Sequence, residues 1–286
     1  MSSPAAGTRT SWTCPNCRTA VASAFCPGCG ERPIAPADLS LQGIAAQLVK
    51  TVGGVDGRVV RSLRALLGRP GSLTIAYAEG RRKPLVGPFQ LFLLANVAFF
   101  AMQSLTHMRV FSSSLDSHLH HQDWSALAQQ LVADRLAATG TTLESYAPLF
   151  DRAVVLNAKA LVILMVAPFA LALPALFARS RQPFSVHVAF ALHFYAFLLL
   201  LFCVCLAGAA AAVLFGSGGL ESAVVDDVLT AFVLVASAVY LHAASALVYG
   251  ERGLARAAKA IVLAVWVGVI VVAYRFAMLL MTLYTS

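Results

Sequence analysis

The sequence has few charged residues. Asp, Glu, Lys and Arg make up only 12% of its 286 residues, whereas 59% are hydrophobic. Because soluble globular proteins contain about 25% charged residues, this composition excludes a water-soluble globular protein. The mean hydropathy of +0.77 points the same way. We therefore expect most of the chain to lie in lipid.

Two further features are missing. No apolar stretch precedes the first cysteine, at position 14, so the N-terminal arm lacks a signal-peptide core and is expected to stay in the cytoplasm. The chain also has neither a phosphate-cradling glycine loop nor a Ser-His-Asp arrangement, and the GSGG segment at 216–219 is predicted to be a turn. These two kinds of active site are therefore not indicated.

What the chain does have is a cysteine motif. Four of its six cysteines form two Cys-Pro-x-Cys knuckles with eight residues between them: Cys14, Cys17, Cys26 and Cys29. Four thiolates complete the shell of a structural Zn²⁺ and leave no open position. A reducing cytoplasm disfavours disulfides, and a redox Cys-x-x-Cys would not need a second copy. We predict a zinc ribbon over residues 1–35 with one structural zinc ion, and interpret Cys203 and Cys205 as small apolar side chains.

The rest of the chain predicts an all-α polytopic membrane protein. About 20 apolar residues form a helix that crosses roughly 30 Å of hydrocarbon. Five segments are long enough, near 88–108, 157–178, 186–215, 228–249 and 258–283. Residues 36–87 are predicted to form interfacial amphipathic helices and a basic segment. Residues 109–156 are predicted to be a helical insertion on the extracytoplasmic face of this bundle.

Charge placement predicts the orientation. Lys and Arg concentrate in 41–87, 179–181 and 250–259, whereas the alternate loops carry most of the Asp and Glu. Basic loops stay in the cytoplasm, so we expect a bacterial inner-membrane protein with its N-terminus inside and Ser286 outside. Because this placement accounts for the net charge of +8, nucleic acid is not expected as a partner.

Several polar residues lie within the predicted spans. Depth counting places five of them in the cytoplasmic half of the membrane: Asn96, His187, His193, Tyr240 and His242. Tyr195, two residues after His193, could help to orient them. Ionisable groups inside spans often mark function, so they could form a cavity that holds a second metal or a bound lipid. The alternative is that they hydrogen-bond between helices. A separate group, His118, His120 and His121, could bind metal or be simply solvated.

Two longer motifs carry a family resemblance. The first has the pattern Leu-Leu-x-x-Pro-Gly, then Tyr-x-x-Gly-x-Arg before a proline, and runs from Leu66 to Pro88; the second, His-x-x-Phe-x-x-His-Phe, runs from His187 to Phe194. Together with the knuckles they resemble an uncharacterised bacterial family of membrane proteins, a domain of unknown function with an N-terminal zinc ribbon. The resemblance implies that Arg81 and the two histidines belong to one recurring pattern, which favours a site towards the cytoplasm.

Three functions remain open. The first is an accessory protein that binds a lipid, a cofactor or, through the zinc module, a protein partner. The second is a membrane enzyme acting on a lipid-like or quinone-like substrate through His193, His242 and Arg81, with Arg81 and Arg82 as candidates for binding an anionic group. The third is a transporter, which the lack of an evident inverted repeat makes less attractive.

Overall fold

The computed structural model describes residues 11–31, 57–81, 83–108, 110–214, 216 and 223–285. It begins with an antiparallel hairpin of β1 (Trp12–Thr13) and β2 (Ala20–Val21). Five helices follow: α1 (Gly57–Gly68), α2 (Ser72–Ala78), α3 (Pro88–Thr106), α4 (Leu115–His120) and α5 (Ser125–Thr139). The second half contains α6 (Leu143–Leu161), α7 (Val166–Leu176), α8 (Phe184–Leu214), α9 (Ala223–Tyr249) and α10 (Gly253–Thr285), with short 3-10 helices at Val162–Met165 and Ala178–Ser180.

Four helices, α3, α8, α9 and α10, are long and apolar enough to cross a membrane. A fifth crossing is supplied if α6 and α7 count as one span, although these two helices meet at an angle of 56°. The prediction of an all-α polytopic membrane protein with about five spans is therefore confirmed. The predicted second span, 157–178, is not one straight helix, because it contains the end of α6, a 3-10 turn and α7.

The directions of α3 and α8 explain why α6 and α7 together must cross the bundle. Both helices begin beside one shallow pocket, to which Pro88 and Ser185 contribute, and farther along them the rings of Phe99 and Phe202 lie 6.1 Å apart. The two helices therefore run parallel, and the chain between them must return across the bundle. Among the described residues only α6 and α7 make this crossing.

Polar side chains of α10 stabilise the bend. The last carbonyl groups of a helix lack the usual partner four residues later. The Tyr274 hydroxyl donates to the Ala158 carbonyl (3.1 Å), and the Asn157 side-chain amide donates to Thr282 Oγ1 (3.1 Å). At least one carbonyl near the break is therefore bonded by the neighbouring helix rather than by solvent, which suits a lipid environment.

The bundle has two chemically different ends. At the basic end α3, α8 and α10 begin and α9 finishes, and Gln182 donates to the Val248 carbonyl (3.3 Å). The basic residues described at this end are Arg58, Arg61, Arg64, Arg69, Arg81, Lys83, Arg179, Arg181, Arg252, Arg256 and Lys259. The opposite, acidic end carries Asp116, Asp123, Asp134, Glu144, Asp151, Asp226 and Asp227.

The predicted insertion is helical and packs on the acidic end. Residues 110–156 contain α4, α5 and most of α6. Arg275 of α10 donates to Ser113 Oγ (3.3 Å), and the Tyr146 hydroxyl donates to the Leu283 carbonyl (3.3 Å). The side of the membrane on which this cap lies stays a prediction. The predicted interfacial segment is described only from residue 57 onwards, and Arg82 and Ser286 lie outside the described residues.

Candidate functional site

The two cysteine knuckles have the same backbone conformation. In the first, Arg18 N–H donates to the Cys14 carbonyl (2.8 Å); in the second, Gly30 N–H donates to the Cys26 carbonyl (2.6 Å). Arg18 and Gly30 each follow the second cysteine of a knuckle and have left-handed φ values of 61° and 66°. These tight turns point both sulfurs of each knuckle to the same side.

The four sulfurs converge on one point. Cys14 Sγ lies 3.5 Å from Cys29 Sγ, Cys17 Sγ lies 3.4 Å from Cys26 Sγ, and all four lie within 4.8 Å of one another. A tetrahedral zinc ion with Zn–S bonds of about 2.3 Å requires sulfurs about 3.8 Å apart. One metal ion therefore fits among them. In the part of the chain that the structure describes, this is the one group of three or more Cys, His, Asp or Glu side chains able to hold a metal.

Local hydrogen bonds prepare two of the thiols for metal binding. Bonds from the side chain and backbone of Thr19 lower the pKa of Cys17 to about 6, and a bond from the Asn16 side chain lowers the pKa of Cys29. Burial instead raises the pKa of Cys14 to about 11. Because metals bind thiolates, Cys14 would be deprotonated only with the help of the bound cation.

The knuckles dock against the segment that leads into α3. Lys83 N–H donates to the carboxylate of Glu31 (3.2 Å), a residue that lies two positions after Cys29. Gly30 lies so close beneath the Lys83 side chain that a Cβ at position 30 would collide with Lys83 Nζ. The metal-binding module therefore sits at the basic end of the bundle.

The short helix α2 is inserted into the same end. Gly71, just before it, has a φ of 87°, and a Cβ here would lie 2.9 Å from the carbonyl oxygen of Ala244 on α9. Only glycine combines this conformation with this close approach. The buried residues of α2 are Leu73, Thr74, Ala76 and Tyr77. The Pro-Gly pair of the first motif thus lets α2 enter the bundle.

Both histidines of the second motif bond to neighbouring elements. His193 is 3% exposed, and its Nδ1 lies 2.9 Å from Thr74 Oγ1 of α2. His187 Nδ1 lies 3.0 Å from the hydroxyl of Tyr249, whose ring stacks on Phe177 at 4.0 Å. The sequence analysis missed Thr74 and Tyr249 as partners. Thr74 lies within the first motif, which was the available signal for it.

The other predicted intramembrane residues do not join these pairs. Tyr240 stacks on Phe197 at 3.9 Å, and the buried Tyr195 hydroxyl has no hydrogen bond to a described residue. Asn96 and His242 are partly exposed. Within the described ranges no hydrogen bond links His242 to His193.

The anionic-ligand candidates are only partly described. Arg81 forms an ion pair with Glu79 (2.5 Å), and its side chain is 41% exposed. The shallow pocket that Pro88 and Ser185 line also has contributions from Tyr77, Gln90 and Val188. Arg81 is not among the residues that line this pocket, and Arg82 falls among the residues that are not described.

The histidines of the acidic end point to different partners. His118 is buried and accepts a hydrogen bond from Trp124 Nε1 (3.3 Å), and burial lowers its pKa to about 4. His120 Nδ1 lies 2.9 Å from an Asp116 carboxylate oxygen. His118 and His120 are therefore engaged with different neighbours and share no ligand position.

Residues 56–100 match the profile of a family described as a protein of unknown function, DUF3667. The matched range covers α1, α2 and the larger part of α3, so the predicted resemblance to a family of unknown function is confirmed there. The second motif, at 187–194, lies outside the matched range. Neither the curated proteins nor the solved structures contain a match to the chain.

Proposed function

We propose that the protein is an accessory protein of the bacterial inner membrane, in which a structural zinc ion builds a docking module for a protein partner. The contact that carries this proposal is the one between the knuckles and the bundle, in which Lys83 donates to Glu31 and covers Gly30. A module fixed in this way presents the rest of its surface at a defined distance from the membrane.

Zinc is the metal that suits the site. Four cysteine sulfurs are typical of tetrahedral zinc, and four protein ligands leave no coordination position for a substrate. The described module buries only Cys14, Val21 and Cys26 as its apolar core. Because so small a core cannot stabilise a fold, the ion would supply most of the stability of the module.

Charge favours a cytoplasmic position for the module. It lies at the basic end, and positive residues near the ends of spans are retained in the cytoplasm. With five crossings the C-terminal end of α10 would then lie outside. The acidic cap, formed by α4, α5 and the part of α6 before residue 157, would also lie outside.

The arrangement of the intramembrane histidines favours this accessory role over the membrane enzyme. His193 and His187 each bond a side chain of another element, which is what residues that hold helices together do. An enzyme using His193, His242 and Arg81 would need these groups to converge on one substrate. The transporter alternative has no particular feature in its favour within the described part of the chain.

An exposed aromatic ring gives the proposed docking surface a testable centre. Phe25 is 62% exposed and directly precedes the buried Cys26. Aromatic side chains at the centre of an interface often dominate its binding energy. We expect Phe25→Ala to weaken partner binding without loss of zinc, whereas Ala24→Ser, at the exposed neighbouring position, should change neither.

The experiment measures zinc per chain and the partner recovered by crosslinking in native membranes. We expect one zinc per chain in the wild type and in Cys203→Ser, and none in Cys14→Ser. Partner recovery should fall in Cys14→Ser and Phe25→Ala alone. Zinc that persists in Cys14→Ser, or a partner that is recovered equally from all variants, would contradict the proposal.

A further inference from the structure

A group of buried polar side chains lies where the acidic cap meets α10. Arg275 Nη2 donates to Ser113 Oγ (3.3 Å). Gln103, in the last turn of α3, donates through Nε2 to the Oγ of the neighbouring serine, Ser112 (2.8 Å). Both serines are buried. Two helices and the segment between α3 and α4 therefore bring polar groups to one joint.

His118 of α4 belongs to the same joint. Its ring centre lies 6.0 Å from that of Trp124, which in turn lies 5.6 Å from that of Phe276, the residue after Arg275. Burial and, after it, the positive charge of Arg275 lower the pKa of His118 to about 4. The imidazole is therefore neutral at pH 7, and it lies within reach of the charge of Arg275.

Three side chains of the joint each leave one buried polar atom without a hydrogen bond to a described residue: Arg275 Nε, His118 Nε2 and Gln103 Oε1. His118 Nδ1 accepts from Trp124, so the proton of the neutral ring is on Nε2, which is a donor. When the Gln103 amide turns over, it presents N–H instead, and its oxygen accepts from the Ser112 hydroxyl. The joint can therefore supply three N–H donors that have no acceptor.

The charge of Arg275 also has no ion-pair partner in the described ranges. Asp226, at the start of α9, attracts the guanidinium without forming an ion pair with it. Asp151, whose charge acts on His118, accepts from Leu115 N–H (2.9 Å). A buried charge is costly unless it is paired, and a guanidinium has donors only. An anion is therefore the occupant that would satisfy both the charge and the donors.

The number of donors favours phosphate over a carboxylate. A carboxylate has two oxygens, whereas a terminal phosphate group has three strong acceptor oxygens, one for each donor. Guanidinium groups also match the geometry of phosphate. The Arg275 side chain is only partly buried, whereas His118 is 1% exposed. A phosphate group can therefore approach from the exposed side of Arg275.

We propose that the joint between the cap and α10 binds a terminal phosphate group, which Arg275 contacts through its guanidinium and to which His118 and Gln103 donate hydrogen bonds. The phosphate is either free or part of a phosphomonoester. This site lies at the end of the bundle opposite the zinc module and does not depend on the docking role proposed above.

The test measures binding of radiolabelled inorganic phosphate to the full chain in dodecylmaltoside by equilibrium dialysis. We expect one phosphate per wild-type chain. Losing a hydrogen bond to a charged group weakens binding about tenfold or more. Arg275→Gln, and His118→Phe, which keeps a ring without the N–H, should therefore each lose at least about tenfold in affinity. Arg275→Lys, which keeps the charge, should lose less than Arg275→Gln.

Arg152→Gln is the matched control, because Arg152 is exposed on α6 at the same end of the bundle. This variant should keep the wild-type affinity. An equal loss in Arg152→Gln and Arg275→Gln would mean that phosphate is attracted by overall charge, and the proposal would be overturned. It would also be overturned if the wild type binds no phosphate.

A second measurement needs no variant. Saturating phosphate should slow hydrogen exchange in α4 and at the end of α3, and it should leave residues 11–31 unchanged. Exchange that does not change at the joint would contradict the proposal even if a variant failed to fold.

Competition identifies the source of the phosphate group. If glycerol 3-phosphate displaces the label as well as short-chain phosphatidic acid does, the site takes a soluble phosphate. Displacement by phosphatidic acid at far lower concentration would assign it to a lipid headgroup. Displacement by neither would contradict a site for a phosphomonoester and would restrict it to inorganic phosphate.

Discussion

The knuckle module and the helical bundle are stabilised by different means. The module joins two short strands and two turns around a core of Cys14, Val21 and Cys26. The bundle has a continuous core of aromatic and aliphatic side chains, together with buried hydrogen bonds between distant helices. The module therefore depends on a ligand, whereas the bundle depends on packing. A hydrogen bond from Lys83 N–H to the Glu31 carboxylate helps to join them.

The largest expected effect comes from removing the metal, which should unfold the knuckle module and leave the bundle folded. Structural zinc binding in small modules contributes on the order of 10–16 kcal/mol, which exceeds the total stability of many domains. Removing the metal with a high-affinity chelator should abolish amide protection over residues 11–31. Hydrogen exchange across α3, α8 and α10 should stay unchanged. Helical content, measured by circular dichroism in the same sample, should hardly fall.

That comparison fails if the chelator also exposes the amides of the bundle. Cys205→Ser provides the control, because Cys205 is buried in α8 far along the chain from the knuckles. This variant should respond to the chelator as the wild type does. A bundle that loosens along with the knuckles would mean that the Glu31–Lys83 contact is a structural necessity rather than a docking contact.

The second effect belongs to the bundle alone. Gly71→Ala places a Cβ at a φ of 87° and 2.9 Å from the Ala244 carbonyl oxygen. Backbone strain and overpacking each cost about 1–3 kcal/mol, so we expect a loss of about 2–6 kcal/mol in the free energy of unfolding. Unfolding in mixed micelles of dodecylmaltoside and sodium dodecyl sulfate would measure it. Zinc content should not change.

Gly68→Ala is the matched substitution. Nothing lies within 4 Å of a Cβ at position 68, and Gly68 ends a helix in which alanine is favoured. Its stability should stay within about 0.5 kcal/mol of the wild type. Equal losses in the two variants would show that the insertion of α2 between its neighbours is not the reason why Gly71 is needed.

The sequence predicted the outline of both regions for simple reasons. Cys-x-x-Cys spacing limits where the sulfurs can point, and long apolar runs have few alternatives to a membrane helix. The bend between α6 and α7 was not predicted, because hydropathy measures composition and does not report that the Tyr274 hydroxyl can bond a backbone carbonyl at the break. Because hydropathy does not detect this bend, the sequence analysis predicted a single span over 157–178.

The hydrogen-bond partners of the buried histidines were harder to predict than the histidines themselves. Hydropathy placed His187 and His193 within a predicted span, and both lie in α8, a candidate membrane span, but hydropathy does not fix the direction of a side chain around its helix. Thr74 was overlooked because α2, with seven residues, is too short to be identified as part of the bundle from hydropathy. Only the insertion at Gly71 brings Thr74 to His193, 119 positions along the chain.

The smallest effect tests whether His193 holds the bundle together. Thr74→Val keeps the shape of the side chain but removes the hydroxyl bonded to His193 Nδ1 at 2.9 Å. A buried group that loses its partner costs about 1–3 kcal/mol, so the free energy of unfolding in mixed micelles should fall by this amount. In a His193→Phe background Thr74→Val should cost far less, because the ring nitrogen that needs a partner is gone. A cost that is equal in both backgrounds would mean that the two side chains do not interact, and His193 would again be a candidate for chemistry within the membrane.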